Sequence, residues 1–108
     1  MEFLVRTENH LSPDTDPARV AALRAEERVQ AGELRDRGML KRLWRVPGRW
    51  ATIGLYEAPD ATVLHDALSS LAMWRYMEVT VEPLADHPQE VALRAAQAHS
   101  SGASRPLV

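Results

Sequence analysis

The apolar residues of this chain change period along its length, from two to 3.6 and back, and the order of those changes restricts the fold more than any other feature. From Glu2 to His10 the pattern alternates, with Phe3 and Val5 on one side and Leu4 and Arg6 on the other, which predicts a strand. Ser12 to Pro17 reads as a turn that becomes a helix start. Asp16 suits the cap and Pro17 the first helical position, where a missing N–H costs nothing. The helix is expected to run to about Arg37, with Gly38 as its stop and Arg35 and Arg37 against the negative end of the dipole. Gly32 weakens its interior by roughly 1 kcal/mol relative to alanine. Two strand-like runs, Leu40 to Val46 and Trp50 to Glu57, flank Pro47-Gly48 and predict a hairpin. Asp60 is placed to cap a second helix through Leu71, with Val63, Leu64, Ala67, Leu68 and Leu71 at helical spacing. Tyr76 to Leu84 alternates again, with Met77, Val79 and Val81 on one side, and Pro83 assigns its end to an edge or terminus. A short helix is expected around Glu90 to Ala98, and Ser100 to Val108 is expected to be mobile.

The resulting order, β-α-β-β-α-β, predicts an α+β chain of the ferredoxin-like split βαβ type: a four-stranded antiparallel sheet with two helices on one face. The other face must be wet, carry ligand or meet another subunit. Leu4, Trp44 and Trp50 are expected to form a second apolar face there, which favours a partner subunit. At 108 residues the chain has room for one core, with residues 1–88 as the domain and 89–108 as an appended tail. Hydrophobic residues at 45% and charged residues at 26% give a globular balance. A net charge of -2 does not mark a polyanion binder. The absence of cysteine removes disulfides and thiolate chemistry and fits the cytoplasm. No segment approaches membrane-spanning length, and Met1 to Asn9 lacks the apolar core of a signal peptide.

One acid breaks the pattern of the first helix. Val20, Leu23, Ala31 and Leu34 recur at three- and four-residue steps, and Glu27 completes the series. Glu26 lies about 100° further around the axis and is expected to be exposed. A carboxylate on a core-facing stripe is costly unless paired, and burial raises its pKa toward the range useful to a general base. Arg24, Arg28 and Arg45 are available to pair with it, so spacing alone leaves a structural ion pair ahead of catalysis.

Several strings, in order, resemble the muconolactone isomerase family over roughly residues 2 to 88. They are Glu2-Phe3-Leu4-Val5-Arg6, the acidic helix start from Asp14 to Pro17, Ala25-Glu26-Glu27-Arg28, and Leu43-Trp44-Arg45-Val46-Pro47-Gly48-Arg49. Leu68-Ser69-Ser70-Leu71, Tyr76-Met77-Glu78-Val79, Pro83-Leu84 and His87-Pro88 follow with the same spacing. The resemblance implies a ferredoxin-like fold, dimers of α/β-barrel type built on sheet contacts, and often a decameric ring. It implies cofactor-free isomerisation of muconolactone to the 3-oxoadipate enol-lactone in bacterial catechol breakdown. The family's catalytic glutamate carries over to Glu27, and a close branch removes chloride from a chlorinated muconolactone. For such a proton shift Glu27 is assigned as base, with Arg45, Arg28 and Tyr76 as substrate-binding groups. Arg45 and Trp44 are adjacent in one strand, so only one of them can face the helices.

The chain also departs from the family. Where the family usually has Leu-Pro-Leu-Phe-Pro-Tyr, this chain has Leu71-Ala72-Met73-Trp74-Arg75-Tyr76, and Thr52 replaces a frequent asparagine. These changes bear on the pocket and keep alternatives open: a divergent isomerase or cyclase, or a chloromuconolactone dehalogenase-like enzyme, and behind them a non-catalytic interaction subunit. Other readings are weaker. His10, His65, His87 and His99 lack zinc-like spacing, so no metal site is expected. Arg35, Arg37, Lys41, Arg42, Arg45 and Arg49 interleave with Trp44 and Trp50 as in a nucleic-acid binder. The third strand lacks the basic-Gly-aromatic signature of RNA-recognition domains, so no nucleic-acid partner is expected.

Overall fold

A computed structural model of the chain describes residues 1–99; the expectation for Ser100 to Val108 lies outside the described residues. The elements are β1 (Glu2–Asn9), α1 (Pro17–Asp36), β2 (Leu40–Arg45), β3 (Ala51–Glu57), α2 (Ala61–Ser69), a 3-10 turn (Trp74–Tyr76), β4 (Met77–Leu84) and α3 (Pro88–His99). The sheet runs β2-β3-β1-β4 with every pair antiparallel, the ferredoxin-like arrangement. Pro83 does fall on an edge strand, where its missing N–H leaves no ladder bond unmade on the open side.

The local chemistry expected at the helix ends is present. Asp16 accepts a hydrogen bond from the Ala18 N–H at 3.1 Å, and Pro17 opens α1. Asp60 accepts from the Val63 N–H at 2.9 Å. Gly38 and Gly48 have φ of 75° and 74°, the left-handed region that L side chains avoid, and each reverses the chain before a strand partner. The tail adds a third helix to the two that the topology requires, and no α3 residue is buried.

Register sorts the sheet into two faces. Val5 opposes Gly54 and Val81, and Phe3 opposes Tyr56 and Pro83. This side meets the helices: Phe3, Val5 and Tyr56 join Leu34, Leu64 and Leu68 in one core. On the other side Leu4 opposes Leu55, Trp44 opposes Ile53, and Arg42 lies over the Trp44 ring at 4.9 Å. The expected second apolar face therefore holds Leu4 and Trp44 but not Trp50. Trp50 precedes β3 with the same parity as Thr52, Gly54 and Tyr56, and it turns to the helix side.

Candidate active site

Between α1 and the β2-β3 half of the sheet lies an open cleft of about 780 Å³. Glu27 lines it, half-buried, projecting from the middle of α1 toward β3. Burial raises the Glu27 pKa above the ordinary carboxylate range. Among the described residues no ion pair or hydrogen bond offsets that cost. The arginines that could have paired with it structurally do not do so. The ion-pair reading that spacing favoured is thereby set aside for the conformation described.

Tyr56 forms the floor. It is 6% exposed, it lines the cleft, and its pKa is pushed up to about 12 by burial and by the Glu27 charge nearby. Its hydroxyl is therefore a proton-bearing donor at any physiological pH. Gly54 makes room for the ring: a Cβ there would stand 2.6 Å from Tyr56 Cε1 and 3.2 Å from Leu43 Cδ2. The absent side chain in β3 lets the aromatic ring lie along the sheet beneath Glu27's helix.

Arg45 and Arg28 both line the cleft, and Trp44 points to the opposite face, which answers the question of which residue of that pair faces the helices. Tyr76 does not join them. It sits in the 3-10 turn, outside the cleft lining, and its hydroxyl accepts from Arg19 Nη2 at 3.5 Å. That bond to Arg19 lowers the Tyr76 pKa. Three sequence-chosen residues thus share one space and the fourth is directed at the start of α1.

The segment after α2 is tied back to α1. Gln30 of α1 donates from Nε2 to the Ser70 carbonyl at 3.1 Å and accepts from the Ala72 N–H at 2.7 Å. A proline at position 72 would have no N–H to give. The alanine at position 72 supplies the donor by which α1 holds this turn, and Leu71 and Met73 of the turn line the cleft.

Elsewhere, Glu8, His10 and Glu78 bring ligand-type atoms within 4.8 Å of one another near the end of β1 and the start of β4. Glu8 is held by Arg6 at 2.9 Å, and this contact lowers its pKa. Among the described residues no helix is long and apolar enough to cross a membrane.

Fold and cleft together define a class: a ferredoxin-like α+β domain that suspends an unpaired carboxylate over a neutral tyrosine between helix and sheet. The muconolactone delta-isomerase family matches residues 1–90, and this chain belongs to that family. It is 34% identical over 91 residues to a muconolactone delta-isomerase of Pseudomonas aeruginosa, covering 84% of this chain and 95% of that one. A muconolactone delta-isomerase of Cupriavidus pinatubonensis is 33% identical over 91 residues, covering 84% and 99%. A crystal structure of muconolactone isomerase superposes with a TM-score of 0.77 at 35% identity, over 82% of this chain and 92% of the other. A 5-chloro-2-hydroxyhydroquinone dehydrochlorinase of Burkholderia phenoliruptrix, at 13% identity and a TM-score of 0.61, shares the fold.

Tyr56 was not among the residues selected from sequence, nor were Arg24, Arg49 and Trp50 as members of the cleft lining. The signal for Tyr56 and Trp50 was strand parity: Trp50, Thr52, Gly54 and Tyr56 are two apart and share the face of Val5. Gly54 inside a strand also signals a close approach, here by Tyr56.

Proposed function

We propose that this chain isomerises muconolactone to the 3-oxoadipate enol-lactone, with Glu27 as the proton carrier. The observation that carries the assignment to Glu27 is its position: unpaired, desolvated and facing the cleft. A carboxylate with a raised pKa is a stronger base when ionised and a usable acid when protonated, which a 1,3 proton shift requires in turn. In the first step Glu27 removes the proton on the ring carbon that bears the side chain. The C–H electrons pass into the conjugated lactone, and negative charge grows on the carbonyl oxygen. In the second step the same carboxylic acid returns the proton to the carbon next to that carbonyl. The C=C bond has moved, and no atom is gained or lost.

The growing charge needs a donor that does not itself ionise. The Tyr56 hydroxyl meets this requirement, since its pKa of about 12 keeps its proton in place. The substrate's carboxylate is assigned to Arg45 and Arg28, whose planar forks suit it. Tyr76 is given no part in this reading, because its hydroxyl faces Arg19. Residues 1–88 are the catalytic unit in this proposal and 89–108 an appended tail. We also assign the protein to the cytoplasm and to a homo-oligomer, a dimer at least and a decamer in its larger form. Support for the oligomer comes from the outer sheet face, where Leu4, Ile53, Leu55 and Trp44 form an apolar strip, and from α3, where Val91 and Leu93 are each 51% exposed.

The experiment is Glu27→Gln, with enol-lactone formation followed against the wild type. Turnover should fall by about 10²- to 10⁴-fold, the usual contribution of a positioned acid–base group. Near wild-type turnover would remove Glu27 as the proton carrier, and a sedimentation mass of one chain would remove the oligomer.

A further inference from the structure

Glu27 stands unpaired although its own helix offers it two partners. Side chains three and four positions away share its face: Leu23 and Arg24 on one side, Gln30 and Ala31 on the other. Leu23 and Ala31 have no polar side-chain atom, so Arg24 and Gln30 are the two that could reach the carboxylate. Both are held elsewhere. The Gln30 amide bonds the Ser70 carbonyl and the Ala72 N–H. The Arg24 guanidinium stands 5.3 Å from the centroid of the Trp50 ring. Among the described residues Arg24 is in no ion pair, whereas Arg6 and Arg94 each hold a carboxylate at 2.9 Å.

Trp50 is placed to do this. Its carbonyl accepts from the Asn9 N–H at 3.0 Å, and the Ala51 carbonyl beside it accepts from the Val46 N–H at 3.0 Å, so its backbone is fixed. Its ring lies on the helix side yet is 68% exposed, so burial gives little reason for an indole here. An indole face is the aromatic surface that attracts a guanidinium best. The competing Arg24–Glu27 pair would form in a half-buried site, where both groups lose water.

The consequence falls on the base. A guanidinium paired with Glu27 would lower its pKa and occupy the oxygens that must reach a substrate C–H. Instead, burial raises the Glu27 pKa without an opposing arginine contribution. The other titratable groups lining the cleft are Arg28 from α1, Arg45 from β2, Arg49 from the turn that follows and Tyr56 from β3. Arg28 is next in sequence and points about 100° away around the axis. None of these four is altered by a change at position 50, so a change in Glu27 is traceable to Arg24.

We propose that Trp50 is a positioning residue: by holding the Arg24 guanidinium at the rim, it keeps that cation off Glu27 and leaves the carboxylate free in the cleft. The proposal rests on the reading of Glu27 as proton carrier, but its test observes Glu27 directly. Protonation of Glu27 is followed against pH by its carboxyl infrared band, isolated as the difference between each protein and its Glu27→Gln counterpart. Trp50→Leu should lower the Glu27 pKa by about one pH unit or more, the effect of a cation brought within pairing distance. Its kcat should fall about 3- to 10-fold, because the base is weaker and its oxygens are engaged. Trp50→Phe keeps an aromatic face and should retain most of the wild-type behaviour. Trp50→Leu combined with Arg24→Gln should return the pKa to its raised value, since no guanidinium is left to pair. An unshifted pKa in Trp50→Leu would overturn the proposal. So would a lowered pKa that persists in the double variant, because the indole would then act by covering Glu27 and not through Arg24. Failure of the proton-carrier reading shows separately, as near wild-type turnover by Glu27→Gln while the pattern of pKa values persists.

Discussion

The two helices that cover the sheet are anchored differently, and the difference locates the site. Helix α2 is nine residues long and fixes itself with Leu64 and Leu68, one turn apart, both 2% exposed. Helix α1 is 20 residues long and also buries two leucines, Leu23 and Leu34. Those are eleven positions apart, about 16 Å along the axis. Under α2 the layer is close-packed and joins Phe3 in the core. Under α1 the span between anchors is bridged only by half-buried groups, Glu27 and Ala31 among them, and it opens as the cleft. The roughly three turns of one face between them could have been packed shut by apolar side chains. Leaving a carboxylate there costs stability and provides a desolvated base.

The strongest way to break this comparison is to make α1 resemble α2. Glu27→Leu completes the apolar stripe. We expect turnover to fall by about 10²- to 10⁴-fold while stability rises by about 0.5–2 kcal/mol, read as an upward shift in Tm. The sign with pH follows from the raised pKa of Glu27. Below the unfolded carboxylate range the group is protonated in both states and contributes no electrostatic penalty. As pH rises through the folded pKa the native state must ionise a desolvated group, and the penalty appears. The advantage of Glu27→Leu should therefore grow from acid to neutral pH. In the wild type, kcat should fall on the acid side at a pH above the ordinary carboxylate range, as the base is protonated. A variant that is less stable at neutral pH would show that Glu27 is structurally compensated after all.

The next effect concerns the floor. Tyr56→Phe removes the hydroxyl and keeps the ring, so kcat should fall by about 10²-fold with a smaller change in KM, as for the loss of one oxyanion donor. An unchanged kcat would place the oxyanion elsewhere. Gly54→Ala tests how the ring is seated. The new Cβ would meet Tyr56 Cε1 at 2.6 Å, so the ring must move at a cost of about 1–3 kcal/mol. Both Tm and kcat should drop. In a Tyr56→Ala background the added methyl should lose most of its cost, because the clashing ring is gone. Additive losses would mean that the glycine serves the strand backbone instead.

These residues also show what sequence can and cannot convey. The order of elements was readable because each one is announced locally, by Asp16-Pro17, by Gly38, by Gly48 and by the alternation from Met77 to Val81. Glu27 was readable as an exception to a period. Its lack of a partner was not, since three arginines lie within reach in sequence and only the assembled layers show that none of them pairs with it. Arg45 against Trp44 was undecidable for a similar reason: alternation separates the two faces but does not say which face the helices will cover. Tyr76 is a candidate binding group in sequence, yet it sits in a 3-10 turn between α2 and β4 with its hydroxyl against Arg19. Contacts between elements distant in sequence settle such matters, and local patterns do not encode them.

The smallest expected effect concerns how α1 is tied to the turn after α2. Gln30 of α1 bonds the backbone of that turn through the Ser70 carbonyl and the Ala72 N–H, while Arg19 of the same helix reaches the Tyr76 hydroxyl further along. Gln30→Ala should cost about 1–2 kcal/mol, one or two modest hydrogen bonds, part of it shared with solvent because the Ser70 contact is exposed. Ala72→Pro removes the N–H alone, and its ring stiffens the turn. If the hydrogen bond dominates, Ala72→Pro lowers Tm and the loss disappears in a Gln30→Ala background, where there is no acceptor left to disappoint. If proline's restriction of the unfolded chain dominates, by about 0.4–1 kcal/mol, Ala72→Pro stabilises both backgrounds equally. The first result would make Gln30 and Ala72 a matched pair that fixes the Leu71 and Met73 end of the cleft. The second would make the alanine a neutral replacement, and the two helices would be coupled through the core alone.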